Sequence, residues 1–96
     1  MSVRLVVSID ALPGKGNELA AIYRARCQEV MAEPGCEQFE VFQSALNSDR
    51  LVLLELWKDA AALAVHAKVN ETRAPLPEGL RAPGAAREDY TYSRTR

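Results

Sequence analysis

The apolar positions of this chain follow two periods, and the switches between them mark its elements. Residues 3–9, VRLVVSI, are β-branched or apolar at nearly every position, which predicts a strand covered on both faces. The stretch "ALPGKGN" breaks it. From Asn17 or a neighbouring glycine, Leu19, Ile22, Tyr23, Cys27, Val30 and Met31 recur at three- and four-residue spacing. Glu18, Arg24, Gln28 and Glu29 fall mainly elsewhere, so this is an amphipathic helix. Pro34 and Gly35 stop it: proline lacks the N–H a continuing helix needs and disfavours helical geometry at Glu33, while glycine accepts the positive φ of a tight turn.

A second strand runs from Cys36 to Ser44, with Phe39 and Val41 on one face and Cys36, Gln38, Glu40 and Phe42 on the other. Its polar content predicts an edge position. After the turn "ALNSDR", Leu51 to Trp57 is apolar on both faces except at Glu55, the pattern of a central strand. Asp59 is a natural N-cap for a helix over Ala60 to Asn70 that carries Leu63, His66, Ala67 and Asn70 on one side. Pro75, Pro77 and Pro83, with Gly79 and Gly84, predict an irregular crossover. Asp89 to Thr95 then alternates Tyr90 and Tyr92 against Thr91 and Ser93, a second edge strand.

The order β-α-β-β-α-β, with a short hairpin between the second and third strands, predicts an α+β fold of the ferredoxin-like, split βαβ type. This is a four-stranded antiparallel sheet with two helices on one face and the first and third strands in the centre. Those are the two strands that read as doubly covered. With helices on one face only, the apolar residues Val52, Leu54 and Leu56 need another cover, and a second copy of the sheet predicts a twofold homodimer packed face to face.

Ninety-six residues suit one domain, 1–96, whose limited self-burial also favours oligomerisation. The chain is 48% hydrophobic and 26% charged with a net charge of −1. No apolar run reaches membrane-spanning length, and the N-terminus lacks a cleavable signal pattern, so the expected location is cytoplasmic, with no membrane partner. The basic residues form no stripe, which argues against nucleic acid. Two cysteines, Cys27 and Cys36, without a CxxC and with a single histidine do not make a structural zinc site. There is no GxGxxG and no P-loop; "GKG" at 14–16 is a turn. Cys36, with no base or cation evident beside it, reads as the first residue of a strand rather than a reactive thiolate.

The helix ended by "EPGC", the strand "EQFEVFQS", the turn "NSDR" and the run "LVLLELWKDAAALAVH" together resemble the antibiotic biosynthesis monooxygenase domain family of dimeric α/β-barrel proteins. The resemblance is densest from Glu33 to His66. It implies a substrate cavity between sheet and helices, with the segment after the second helix on its rim, and it matches Trp57 and His66 to the family's "W…H" spacing. The superfamily includes cofactor-free quinol and anthrone monooxygenases, haem-degrading enzymes and small-molecule isomerases. The haem-degrading members carry a tryptophan where this chain has His66 and an axial histidine about ten residues later, where it has Leu76, which argues against haem. The Pro-rich "APLPEGLRAPG" also replaces the apolar and aromatic residues usual in the family at that point.

What the resemblance implies is a cofactor-independent monooxygenase acting on a small aromatic, quinol- or anthrone-like substrate. A deprotonated electron-rich phenol itself passes an electron to dioxygen, so the protein need supply only a base, an apolar pocket and positioning. The alternatives are a non-catalytic dimeric ligand-binding protein and an isomerase using the same base.

Histidine is the side chain whose ordinary pKa lies nearest neutrality, which makes His66 the candidate catalytic base; otherwise it is a hydrogen-bonded core residue. Trp57, Tyr23 and Asn70 are the candidate substrate-binding residues: a flat wall, a hydroxyl and an amide that orients a phenol or carbonyl. Their structural alternatives are core packing for the first two and a helix cap for Asn70. Arg26 and Arg73 would hold an acidic substrate or simply be solvated. Glu55 is either a proton-transfer group raised by burial or half of a salt bridge across the dimer interface.

Overall fold

The computed structural model describes all 96 residues, Met1–Arg96. Its elements are β1 (Val3–Asp10), α1 (Gly16–Met31), β2 (Cys36–Gln43), β3 (Arg50–Trp57), α2 (Ala60–Glu71) and β4 (Ala86–Thr91). The strands form one sheet in the order β2-β3-β1-β4, and every neighbouring pair is antiparallel. β1 and β2 therefore run parallel with β3 inserted between them, which is the ferredoxin-like split βαβ arrangement. The two strands patterned for cover on both faces are the inner ones. No helix is long and apolar enough to cross a membrane.

The core lies between the sheet and α1. Leu5, Ile9, Phe39, Leu51, Leu53 and Trp57 from the strands meet Leu19, Tyr23, Cys27 and Val30 from the helix. Each large side chain buried in this way contributes about 1.5–3 kcal/mol. Met31, although it fits the helical spacing, is 48% exposed, because α1 ends there and the chain turns away.

Both ends of α1 depend on distant residues. Lys15 at the N-cap makes no side-chain bond. Instead, the carboxylate of Asp49, in the β2–β3 turn, accepts the N–H groups of Gly14 and Gly16, each at 2.9 Å. At the other end, Gly35 has φ +80°, and its carbonyl accepts the Lys58 N–H at 2.9 Å. That contact ties the Pro34–Gly35 turn to the start of α2.

The last strand corrects the sequence expectation. It spans Ala86–Thr91 rather than Asp89 to Thr95, because pairing with β1, from Ser8↔Ala86 to Val3↔Thr91, defines it more than its own alternation does. Beyond Thr91 there is no β1 residue left to pair with. Tyr92 follows the strand, its N–H bonded to the Ser2 carbonyl at 3.0 Å and its ring 5.2 Å from the Arg4 guanidinium.

The sheet face opposite the helices carries Val6, Val52 and Leu54, all half-buried, and Phe42, 44% exposed. Arg4 and Gln38 flank Leu56 in register and hydrogen-bond to each other across it.

Candidate active site

A cavity of about 610 Å³ opens between the sheet and α2. Its floor is Leu5, Val7, Ile9, Phe39 and Leu53, and the α2 face above contributes Ala60, Leu63, Ala64, His66, Ala67 and Asn70. The space exists because three of those helix residues are alanines, too small to fill the gap to the sheet. Packing that is dense under α1 therefore gives way to a hollow under α2.

The crossover between α2 and β4 closes one side. It is docked on the end of β1 by the Ala11↔Arg81 bridge and by hydrogen bonds from Leu12 N–H to the Leu80 carbonyl and from Ala82 N–H to the Asp10 carbonyl, both 2.8 Å. Leu80 anchors it in the core, while Leu76 and Arg81 face the cavity.

His66 is buried between two aromatic rings. Trp57 stacks on it at 4.6 Å with a 30° interplanar angle, and Phe39 lies at 5.6 Å, tilted by 58°. Its Nδ1 sits 3.0 and 3.1 Å from the two carboxylate oxygens of Glu33. A carboxylate only accepts, so Nδ1 carries the proton and donates, and Nε2 of the neutral ring bears the lone pair. No protein group bonds that nitrogen, and the ring lines the cavity.

Glu33 is itself held. Arg73 Nη1 lies 2.7 Å from Glu33 Oε2, and Arg73 Nε lies 3.5 Å from Glu29 Oε2. Nη1 makes no hydrogen bond, and the short contact is an ion pair. Arg73 is thus committed to these carboxylates and does not line the cavity, which removes the expectation that it holds a substrate.

Trp57 is fully buried and lies behind His66 rather than on the cavity wall. Its Nε1–H donates to Glu55 Oε1 at 3.0 Å. Glu55 lines the cavity, facing the helices, so the expected salt bridge across the opposite sheet face is not where this carboxylate points. Burial pushes its pKa up, and the Trp57 hydrogen bond offsets this only in part.

Tyr23, on α1, reaches the same cavity, and its hydroxyl accepts a hydrogen bond from Arg81 Nη1 at 3.2 Å. Burial raises its pKa above the ordinary phenol value against the opposing pull of Arg81 and Arg26, so it remains a neutral hydroxyl whose own proton is free to donate. Asn70 lines the cavity from the last turn of α2. Arg26 also borders it, with Nη2 bonded to the Ala74 carbonyl at 2.7 Å.

Sequence reasoning missed Glu33, read only as the residue before Pro34, and Arg81. One signal pointed at the first: Glu29 and Glu33 sit at the C-terminal end of α1, whose last turn holds no basic residue. Acidic groups are disfavoured there by the helix dipole and need compensating partners.

A ferredoxin-like sheet that holds a histidine over an apolar cavity defines a class of protein, and comparison with known proteins specifies it. The model of the family described as antibiotic biosynthesis monooxygenase matches residues 2–74, and the chain belongs to that family. Over 64 residues it is 34% identical to a Bacillus subtilis (strain 168) protein named "Putative monooxygenase YcnE", a match covering 67% of this chain and 64% of that relative. Among solved structures, a Pseudomonas aeruginosa protein superposes with a TM-score of 0.78 at 26% identity, over 97% of this chain and 95% of that one. A Nitrosomonas europaea structure named "Putative antibiotic biosynthesis monooxygenase" gives a TM-score of 0.75 at 20% identity, over 93% and 88% of the two chains. That likeness speaks for the fold.

Proposed function

We propose that this protein is a cofactor-independent monooxygenase of a small aromatic, quinol- or anthrone-like substrate, with His66 as the general base. The observation that carries the reading is the Glu33–His66 pair. It fixes the imidazole proton on Nδ1 and leaves Nε2 as a free acceptor on a ring that lines an apolar cavity. Family membership supports the same class of reaction.

In this mechanism His66 Nε2 removes a phenolic proton from the bound substrate. The resulting phenolate passes one electron to dioxygen, and the radical pair joins through a new C–O bond to give a peroxide anion. The His66 imidazolium returns its proton to this peroxide, and cleavage of the O–O bond, with the ring C–H proton passing to the departing oxygen, leaves a carbonyl on the substrate and releases water. The substrate supplies all the electrons, and dioxygen is the only oxidant. Tyr23 donates a hydrogen bond to the substrate, Asn70 orients it from α2, and Trp57 shapes the site from behind by fixing the plane of the imidazole.

Oxygen uptake tests the proposal. A panel of quinols and anthrones should give consumption above the spontaneous rate, and His66→Ala should abolish the excess. Binding without uptake would point to a ligand-binding protein. Uptake-free conversion of a substrate to its isomer would point to a proton-transfer enzyme.

We further infer a twofold homodimer closed through Val6, Val52, Leu54 and Phe42, which leave an apolar patch on the face away from the helices. A concentration-independent mass of one chain by sedimentation would refute it.

A further inference from the structure

The cavity is apolar over most of its wall, yet three guanidinium groups border it: Arg26, Arg81 and Arg87. They are not equivalent. Arg87 is neutralised by a two-point pair with Asp89, at 2.7 and 2.9 Å. Arg26 is held by the Ala74 carbonyl, with Glu29 at 3.9 Å. Arg81 has no carboxylate within ion-pair distance; its one side-chain partner is the neutral Tyr23 hydroxyl.

Arg81 also does not ride on a free loop. Its backbone bridges Ala11, the hydrogen bonds on either side of it are both 2.8 Å, and the preceding Leu80 is buried at 6% exposure. With its backbone so anchored and Nη1 bonded to the Tyr23 hydroxyl, the guanidinium lines the cavity. The one acid that lines the cavity with it, Glu55, accepts the Trp57 N–H instead and makes no ion pair with Arg81.

We propose that Arg81, with Tyr23 beside it and Arg26 nearby, is an anion subsite, and that the ligand of this cavity is an aromatic carboxylate. Its ring lies on the apolar floor of Leu5, Val7 and Leu53, and its carboxylate meets the Arg81 fork. A planar guanidinium matches a carboxylate in geometry as well as charge. The Tyr23 hydroxyl, which accepts from Arg81, keeps its own proton to donate to the same carboxylate. This rests on reading the cavity as the substrate site and makes no use of oxygen chemistry.

The test uses two inert probes of nearly the same shape, 2-naphthoate and the neutral 2-naphthamide, titrated by calorimetry into the full chain. Neither reacts with dioxygen, so the outcome is independent of whether oxygen uptake is found. A charge-assisted contact predicts that the naphthoate binds about tenfold or more tightly. Arg81→Gln should erase that preference while leaving the amide's affinity unchanged. Arg24→Gln, which removes one positive charge from the exposed side of α1, should preserve it. Thermal melting of each variant reports folding, and Arg81→Lys, keeping the charge without the fork, should fall between. Equal affinities in the unaltered protein, retention of the preference in Arg81→Gln, or no binding of either probe would each overturn the proposal.

Discussion

Glu33, the residue before the proline that ends α1, holds Nδ1 of His66 at 3.0 Å, although 33 positions separate them in the chain. The contact selects one tautomer and one ring orientation at the cavity. Replacing Glu33 by glutamine keeps the size but introduces an N–H₂ group able to donate to Nδ1 and so to stabilise the opposite tautomer. The expected outcome is a kcat for oxygen uptake lowered by about tenfold or more with KM little changed, against a loss of roughly 10²-fold or more for His66→Ala. Equal kcat in Glu33→Gln and the unaltered protein would separate this contact from catalysis.

Glu55 makes stability fall as pH rises. Burial raises its pKa above the ordinary carboxylate value, so the folded state binds its proton more tightly than the unfolded chain does. The folded form therefore loses stability as pH climbs from the unfolded pKa through the raised folded one, and the loss is complete above both. Glu55→Gln, which keeps an acceptor for the Trp57 N–H, should remove this component and stabilise the protein at neutral and higher pH. Urea midpoints at several pH values for both proteins measure it; parallel curves would contradict the assignment.

Gly35 meets two constraints at once. Its φ is +80°, and a Cβ there would lie 2.6 Å from the Ala62 Cβ. Gly35→Ala should thus cost about 2–4 kcal/mol in chemical denaturation, combining left-handed strain with overpacking against α2. Because Ala62 sits one turn before His66, the same variant should also displace the imidazole and weaken oxygen uptake.

Cys36 should be a sluggish thiol. Burial and the neighbouring Glu33 and Glu55 charges push its pKa up to about 11, and only the thiolate reacts. Alkylation by iodoacetamide at pH 7.5, followed by mass spectrometry, should run more than about tenfold slower at Cys36 than at free cysteine. Labelling as fast as free cysteine would place it in a more open setting than the one described.

Much of the fold was legible in local pattern. The doubly apolar runs of β1 and β3, the single apolar stripe of α1 and the Pro34–Gly35 stop are short-range signals set by side-chain period and backbone preference. They were enough to order the strands and to put Leu63, His66, Ala67 and Asn70 on one side of α2, the side that lines the cavity. β4 was misplaced because an edge strand takes its limits from its partner, and Tyr90 and Tyr92 alternate whether or not β1 reaches them.

By itself, the sequence determined the order of the elements, the central and edge strands, and which face of α2 looks at the sheet, because each follows from the periodicity of a few consecutive residues. Tertiary structure alone decided that Glu33 holds His66, that Arg73 serves Glu29 and Glu33, that Trp57 stands behind the histidine, and that Arg81 reaches Tyr23. Those pairings join residues brought together by chain crossings. Their energies come from distance and burial in three dimensions, which no local period encodes.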